Sequence, residues 1–262
     1  LAGLRLGETT DTQDATGTVL LRSPIESLSE ARIREVVAGF EGRIQQLPPM
    51  YSAVKVGGVP LYKAARAGRE VSRQVREVTV FRLDIVDVQI PEVTLRVVCS
   101  KGTYIRTLCA DIGDKLGVGG HMATLVRERV GPLTLEQALT VDEVESRLEQ
   151  GTLAASMLTL DQALRGLPVC IVGAATAGRV LHGMPVPASE VLAWHGLSSP
   201  LSEGANRAIR IKDGAGRLLA IGTMPDGMNA EAPGANAQSI AVSKVLVTEE
   251  SQGGSIANSI EE

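Results

Sequence analysis

The sequence predicts an α+β fold, in which a mixed or antiparallel sheet with flanking helices is followed by a small β-rich domain. Two runs rich in β-branched residues, 78–90 and 93–99, lie only two residues apart, which is typical of adjacent antiparallel strands. Apolar residues recur at helical spacing within residues 23–42 and 103–117. After about residue 166, short strand-like runs dominate, which indicates a second domain.

The first helix is expected within residues 23–42. Its apolar positions share one helical face: Leu28, Ile33, Val36, Val37 and Phe40. Pro48 and Pro49 then predict an extended stretch. The pair Gly57 and Gly58 suits a tight turn that needs positive φ, so two short strands are expected around it.

The helix within residues 103–117 is expected to be capped by Thr103 and to end at Gly117. Its apolar face comprises Ile105, Leu108, Cys109, Ile112 and Leu116. Tyr104 and Arg106 flank this face in the first turn, at the junction of a strand-like run and a helix start. Such a junction can present both side chains into a cleft, and local packing of the two is the alternative interpretation.

Thr140 and Glu143 form a capping box, which predicts the start of a further helix. We assign residues 1–165 to the first domain and residues 166–248 to the second, with a hairpin turn expected at 213–216. Residues 225–239 are small and polar and predict a loop. Residues 249–262 are expected to be a disordered tail.

The composition excludes several classes of protein. No run approaches the roughly 18 consecutive apolar residues that a membrane helix needs, and the first residues do not resemble a secretory signal. The three cysteines form no CxxC pair, and the three histidines have no cysteine or carboxylate at ligand spacing. We therefore expect reduced core thiols, no metal site, no membrane association and a cytoplasmic location.

Positive charge is concentrated in one part of the chain. Residues 55–82 carry seven basic side chains against two acidic ones, a formal +5, in a chain whose formal net charge is -4. Such a cluster is either a solvated surface or the electrostatic footprint of a nucleic-acid partner.

Three blocks of sequence carry a resemblance to a known family: LRLGETTDTQDATG (4–17), LPPMYSAVKVGGVPLYKAARAGREV (47–71) and CSKGTYIRTLCADIGDKLGVGGHMATLVRERVG (99–131). The chain resembles bacterial tRNA pseudouridine-55 synthases of the TruB type from Leu4 to about Val247. The resemblance implies a pseudouridine-synthase-type sheet and an isomerase that converts a uridine of the tRNA T loop without a cofactor. It also implies that the C-terminal domain is PUA-like and contacts the acceptor stem, and we expect a monomer.

The resemblance assigns roles to individual residues. Arg106 would form an ion pair with the nucleophilic aspartate, Tyr104 would lie beside the flipped base, and Leu125 would support the base from another side. An insertion segment at about residues 44–77 would grip the RNA. The predicted RNA-binding residues are Lys55, Tyr62, Lys63, Arg66, Arg69, Arg73, Asp14, Lys101 and Arg127. Tyr51 and Tyr62 are interpreted equally well as RNA-facing rings or as hairpin core.

The family's nucleophile lies in a GTLDP-like motif that these 262 residues do not contain. We therefore expect the sequence to begin inside the catalytic domain, with the aspartate upstream of Leu1 and this stretch inactive alone. Asp11 and Asp14 are interpreted as loop-fixing or RNA-proximal, and Asp111 as an ordinary helix-surface carboxylate. The alternatives are a tRNA-binding or folding module without catalysis, and a guide-RNA-dependent relative in a larger assembly.

Overall fold

The computed structural model of the chain describes residues 1–69, 71–196, 208–225 and 239–246. The predicted tail at 249–262 lies outside the described residues, as does most of the predicted loop at 225–239. The chain divides into two compact units, Leu1–Glu128 and Arg129–Glu262. The domain boundary near residue 166 stays a prediction.

The first unit contains the sheet and helices that carry the predicted site. Its elements are β1 (Ala2–Leu6), β2 (Glu8–Thr10), β3 (Val19–Arg22), α1 (Glu30–Ala38), β4 (Gly42–Gln46), β5 (Lys55–Val56), β6 (Val59–Pro60), α2 (Leu61–Arg66), β7 (Arg76–Gln89), β8 (Glu92–Cys99), α3 (Ile105–Leu116) and β9 (Gly120–Leu125).

The main sheet has the strand order β4-β7-β8-β1-β9, and its neighbouring strands pair antiparallel. The predicted pairing of the two β-branched runs, now β7 and β8, is confirmed. Helices α1 and α3 share one hydrophobic core with the sheet. The fully enclosed side chains of this core include Leu4, Leu6, Ile33, Leu95, Leu108, Cys109 and Ile112. Burial of this apolar surface is the main stabilising contribution to the unit.

The hairpin around Gly57 and Gly58 is confirmed, because β5 and β6 pair antiparallel and both glycines have positive φ, 58° and 82°. Such values cost a glycine little because it has no Cβ. Helix α2 follows the hairpin directly and was not predicted. Its two buried residues, Leu61 and Ala64, anchor it to the unit.

The start of α3 differs from the prediction. The N-cap is Tyr104, whose side chain makes no capping hydrogen bond, and the predicted cap Thr103 donates its hydroxyl to the Ser100 carbonyl oxygen at 2.9 Å. The expectation for Thr103 was wrong because that hydroxyl closes the preceding turn. The predicted end is confirmed, since Gly117 adopts the left-handed conformation at φ 81°.

The second unit begins with short strands and the helix capped by Thr140, whose predicted capping box is confirmed. Strands dominate after residue 166, where the β-rich domain was predicted. The elements of the unit are β10 (Arg129–Val130), β11 (Leu133–Thr134), α4 (Val141–Glu149), α5 (Leu160–Ala163), β12 (Val169–Val172), α6 (Ala174–Leu181), β13 (Val186–Pro187), β14 (Val191–His195), β15 (Ala208–Asp213), β16 (Leu218–Thr223) and β17 (Ser239–Val245). The sheet order is β13-β17-β16-β15-β12-β14, with β12 and β15 parallel. The predicted hairpin turn joins β15 and β16.

The contact between α3 and the start of β9 depends on Gly113. A Cβ added there would lie 2.2 Å from the Gly120 backbone nitrogen and 2.3 Å from the Gly119 carbonyl carbon. We expect Gly113→Ala to destabilise the first unit by about 3 kcal/mol, because backbone on both sides cannot yield cheaply. Thermal unfolding followed by circular dichroism measures this.

Gly178 is the matched control. It also lies within a helix, α6, but an added Cβ there meets no atom of the described residues within 4 Å. Gly178→Ala should therefore be neutral or stabilise by up to about 1 kcal/mol through helix propensity. An unchanged melting temperature for Gly113→Ala would contradict the close helix-to-strand contact.

Candidate active site

Arg106 lies in the first turn of α3 and is half-buried. Its Nη2 donates to the backbone carbonyl oxygen of Tyr51 at 2.8 Å, at the beginning of the insertion segment. Within the described ranges, no carboxylate lies at ion-pair distance from this guanidinium. A neutral acceptor therefore fixes the position of the cation and leaves its charge and its other N–H donors available for an anion.

Gln46, the last residue of β4, holds the start of α3. Its Nε2 donates to the Tyr104 carbonyl oxygen at 3.2 Å, and its Oε1 accepts the Tyr104 backbone N–H at 3.0 Å. Only 1% of Gln46 is exposed. Both groups of its amide are thus paired with the one residue that precedes the helix, two positions before Arg106.

The loop at residues 10–17 is attached to the same helix. The buried hydroxyl of Thr107 donates to Gln13 Oε1 at 3.0 Å, and Gln13 adopts a left-handed backbone with φ 60°. The Gln13 carbonyl oxygen accepts from the Met122 N–H at 3.1 Å, which joins the loop to β9. The loop therefore contacts both α3 and the sheet.

Asp11 and Asp14 act inside this loop. Asp11 Oδ1 accepts the Thr18 N–H at 2.8 Å, and Asp14 Oδ1 accepts the N–H and the hydroxyl of Thr16 at 3.1 Å each. These bonds are the local turn stabilisation that short acidic side chains provide. The loop-fixing interpretation of the two residues is confirmed, and an RNA contact by Asp14 stays a prediction.

The insertion segment is closed at its base by hydrogen bonds. Arg73 Nη1 donates to the Pro48 carbonyl oxygen at 2.9 Å, and the Tyr62 N–H donates to the Ser52 carbonyl oxygen at 3.1 Å. The Ser52 hydroxyl is buried and has no hydrogen-bond partner among the described residues. Arg73 thus holds the segment together, whatever further contacts it makes.

Most of the predicted RNA-binding side chains are exposed. These are Lys55, Lys63, Arg66, Arg69, Lys101 and Arg127. Tyr62 is half-buried, and the Arg66 guanidinium carbon lies 5.7 Å from its ring centroid, within the range of a cation–π contact. Tyr51 is also half-buried, so burial leaves both interpretations of these rings open.

Leu125 ends β9, pairs with Ala2 of β1 and is 46% exposed. Tyr104 is half-buried and lies two residues before Arg106 in the chain. The structure thus brings Tyr104 and Arg106 together with Gln46 and Tyr51. The sequence analysis did not identify Gln46. Its position two residues after Ile44 indicates that both lie on the same, inward face of β4, and this could have identified Gln46 as a buried polar residue.

Asp111 is not the ordinary surface carboxylate that the sequence predicts. It is half-buried on α3, and burial raises the pKa of its carboxyl group to about 6, with a further contribution from the negative charge of Asp114. Burial likewise raises the pKa of the Cys109 thiol to about 12, so this cysteine is a core residue and not a nucleophile.

The described residues contain neither a cluster of metal-ligand side chains nor a membrane-spanning helix. Among the described residues, no three histidine, cysteine or acidic side chains lie close enough to share a metal ion. None of the helices described is both long and apolar enough to cross a membrane.

Two family models match consecutive parts of the chain. Residues 1–105 match the TruB family pseudouridylate synthase N-terminal domain, and residues 106–167 match the tRNA pseudouridylate synthase B C-terminal domain. The tRNA pseudouridine synthase B of Burkholderia mallei (strain NCTC 10247) is 43% identical over 227 residues, which cover 87% of this chain and 72% of that protein. The chain belongs to the TruB family.

A second TruB relative, tRNA pseudouridine synthase B of Geobacter sulfurreducens, is 41% identical over 213 residues, which cover 81% of this chain and 69% of that protein. Among solved structures, a chain of a Cbf5-Nop10-Gar1 complex superimposes with a TM-score of 0.69 at 23% identity. The match covers 95% of this chain and 66% of that chain. At this identity the likeness concerns the fold alone, and it agrees with the predicted α+β class.

The raised pKa of Asp111 predicts a pH-dependent stability. Between about pH 4 and pH 6 the folded state binds more protons at this group than the unfolded state, so its ionisation lowers the free energy of unfolding as the pH rises. We expect Asp111→Asn to be more stable than the natural protein at pH 7.5 and equally stable near pH 4. Urea unfolding at both pH values measures the difference.

Asp114→Asn serves as the comparison for this experiment. It removes only the smaller cause of the shift, so its stabilisation at pH 7.5 should be the lesser of the two. Equal stability of Asp111→Asn and the natural protein at both pH values would rule out the buried ionisation.

Proposed function

We propose that the protein containing this chain is a tRNA pseudouridine synthase that isomerises the uridine at position 55 of the T loop. The observation that carries the proposal is the half-buried Arg106 guanidinium, which is held by a carbonyl oxygen and has no acidic partner in the described part of a TruB-family chain. A cation kept in this way suits an aspartate nucleophile, whose pKa it lowers and whose carboxylate it orients.

The chemistry needs no oxidant or reductant. The ribose exchanges its bond to N1 of uracil for a bond to C5, while a hydrogen leaves C5 and N1 gains one. In this proposal the aspartate carboxylate attacks C1′ of the ribose and displaces N1 of uracil, and C5 of the detached base then attacks C1′ and displaces the aspartate. Arg106 keeps the aspartate ionised and in place, and Tyr104 and Leu125 line the pocket of the base. The nucleophile is the aspartate of the GTLDP-like motif that the resemblance implies, and no cofactor takes part.

The target uridine must leave its stack before it can react, which costs a few kcal/mol. Contacts between the insertion segment and RNA phosphates offset this cost. The exposed Lys55, Lys63, Arg66 and Arg69 support such contacts, since neutralising phosphates is the main source of affinity in this class of complex. Lys101, Arg127 and Asp14 are proposed to contact the RNA nearer to α3 and the loop at 10–17.

The remaining expectations are part of the same proposal. Residues 166–248, within the second unit, form a PUA-like domain that contacts the acceptor stem, and the protein acts as a monomer in the cytoplasm. Its sheet of short strands with α6 packed against it is compatible with a small RNA-binding module.

The activity is tested with the full-length protein and unmodified tRNA, by measuring pseudouridine at position 55. We expect turnover by the natural protein, and a loss of roughly two to three orders of magnitude in kcat for Arg106→Lys and Arg106→Ala, as for removal of an electrostatic partner in a catalytic site. Affinity for tRNA should change little. The 262-residue chain by itself should form no pseudouridine.

The matched control is Arg34→Ala, which removes an exposed arginine that pairs with Glu30 on α1. This variant should turn over normally. Full activity of Arg106→Ala would refute the assigned role, and an inactive full-length protein that still binds tRNA would favour the second candidate, a tRNA-binding or folding module.

Salt dependence tests the insertion segment. The logarithm of the tRNA affinity should fall linearly with the logarithm of salt concentration, and Arg66→Ala should reduce the slope by about 1, the loss of one phosphate contact. Arg73→Ala should do the same and also loosen the segment, because Arg73 holds the Pro48 carbonyl. Filter binding between about 50 and 200 mM salt measures the slope.

Arg34→Ala again serves as the control, and its slope should equal that of the natural protein. Binding that does not respond to salt would argue against the segment as an RNA grip.

A further inference from the structure

Gln46 is a buried polar residue on a strand face that otherwise faces the core. Ile44, two positions earlier on β4, belongs to the side chains that pack against the main core, and Gln46 follows it in the same alternation. Burying an amide is unfavourable unless its donor and acceptor are both satisfied. In Gln46 both are, and both by Tyr104.

The two bonds hold the N-cap residue of α3, whose own side chain makes no capping hydrogen bond. The first N–H groups of a helix lack partners within the helix, and the side chains of Tyr104 and Thr103 do not supply them. The Tyr104 carbonyl oxygen already accepts the Leu108 N–H at 3.0 Å as the first bond of the helix. Gln46 therefore pairs with the residue at which the helix begins, on both its donor and its acceptor side.

The same short stretch of chain also fixes the Arg106 side chain. Gln46 holds the backbone before Arg106, and five residues later Tyr51 accepts the guanidinium at 2.8 Å. Residues 46–51, near the beginning of the insertion segment, thus hold both the backbone of the helix start and the Arg106 side chain. A small shift of Gln46 would move the guanidinium away from its acceptor.

We infer that Gln46 is a positioning residue for Arg106, which acts by clamping the first turn of α3 to the end of β4. The inference rests on the proposed function. The rest of α3 is held independently by Leu108, Cys109 and Ile112 in the core, so loss of the clamp releases the first turn without unfolding the helix. A misplacement of about 1 Å at a catalytic group is enough to lower a rate by about 100-fold.

Gln46→Met in the full-length protein tests this inference, because methionine has a similar length and offers neither a strong donor nor a strong acceptor. We expect the single-turnover rate of pseudouridine formation to fall at least 10-fold, with the Kd for tRNA within about threefold of the natural value. Hydrogen exchange should become faster in peptides covering 102–108 and stay unchanged in peptides covering 109–117.

Gln45→Met is the matched control. Gln45 is the neighbouring residue of the same type on β4, but it is exposed, and its amide donates to the exposed Glu77 at 3.4 Å. Its rate, affinity and exchange should match those of the natural protein.

Two results would overturn the inference. An unchanged rate for Gln46→Met would show that the clamp is irrelevant to the reaction. A fall in rate accompanied by faster exchange throughout α3 and weaker tRNA binding would show a general structural role. Failure of the natural full-length protein to form pseudouridine would refute the proposed function itself, and the exchange data would still decide whether Gln46 holds the helix start.

Discussion

The start of α3 must have its backbone groups satisfied from outside the helix, and the candidate site depends on how this is done. The nearest hydroxyl, on Thr103, is committed to the Ser100 carbonyl. The backbone N–H and carbonyl oxygen of Tyr104 pair instead with the side-chain amide of Gln46 at the end of β4. The helix start is therefore fixed to the sheet. The end of β4 thus holds the backbone of the helix start, and the Tyr51 carbonyl oxygen holds the Arg106 guanidinium.

The charged groups of the first unit fall into two kinds. Asp11 and Asp14 accept hydrogen bonds from backbone N–H groups of their own loop, which stabilises that loop. Arg106 is half-buried and meets only a neutral oxygen in the described part of the chain. A partly desolvated cation without a counter-charge is costly to maintain, and such groups are concentrated at sites that act on an anion.

The regular elements were predictable where local preference and tertiary packing agree, as in β7, β8 and the body of α3. The helix-cap prediction was wrong because one hydrogen bond decides which of two neighbouring residues is the N-cap. A threonine before a helix predicts an N-cap. The fold shows that the Thr103 hydroxyl donates instead to the preceding Ser100 carbonyl oxygen. The pKa of Asp111 is raised chiefly by burial, which the local sequence does not reveal, with a smaller contribution from Asp114. Helix α2 is too short for a periodic signal. The roles of Arg106, Tyr104 and Leu125 came from the family resemblance, since spacing alone left local packing as an alternative.

Strand β1 lies between β8 and β9, and this position has a kinetic consequence. Ala2 of β1 pairs with Leu95 on one side and with Leu125 on the other, so β1 meets its neighbours only across long stretches of chain. Pairing of this kind raises contact order, and loop-closure entropy must be overcome before the sheet forms. During synthesis β1 leaves the ribosome with both hydrogen-bonding edges unpaired until β8 and β9 follow. Nascent chains therefore pass through a period in which an unpaired strand is exposed to aggregation.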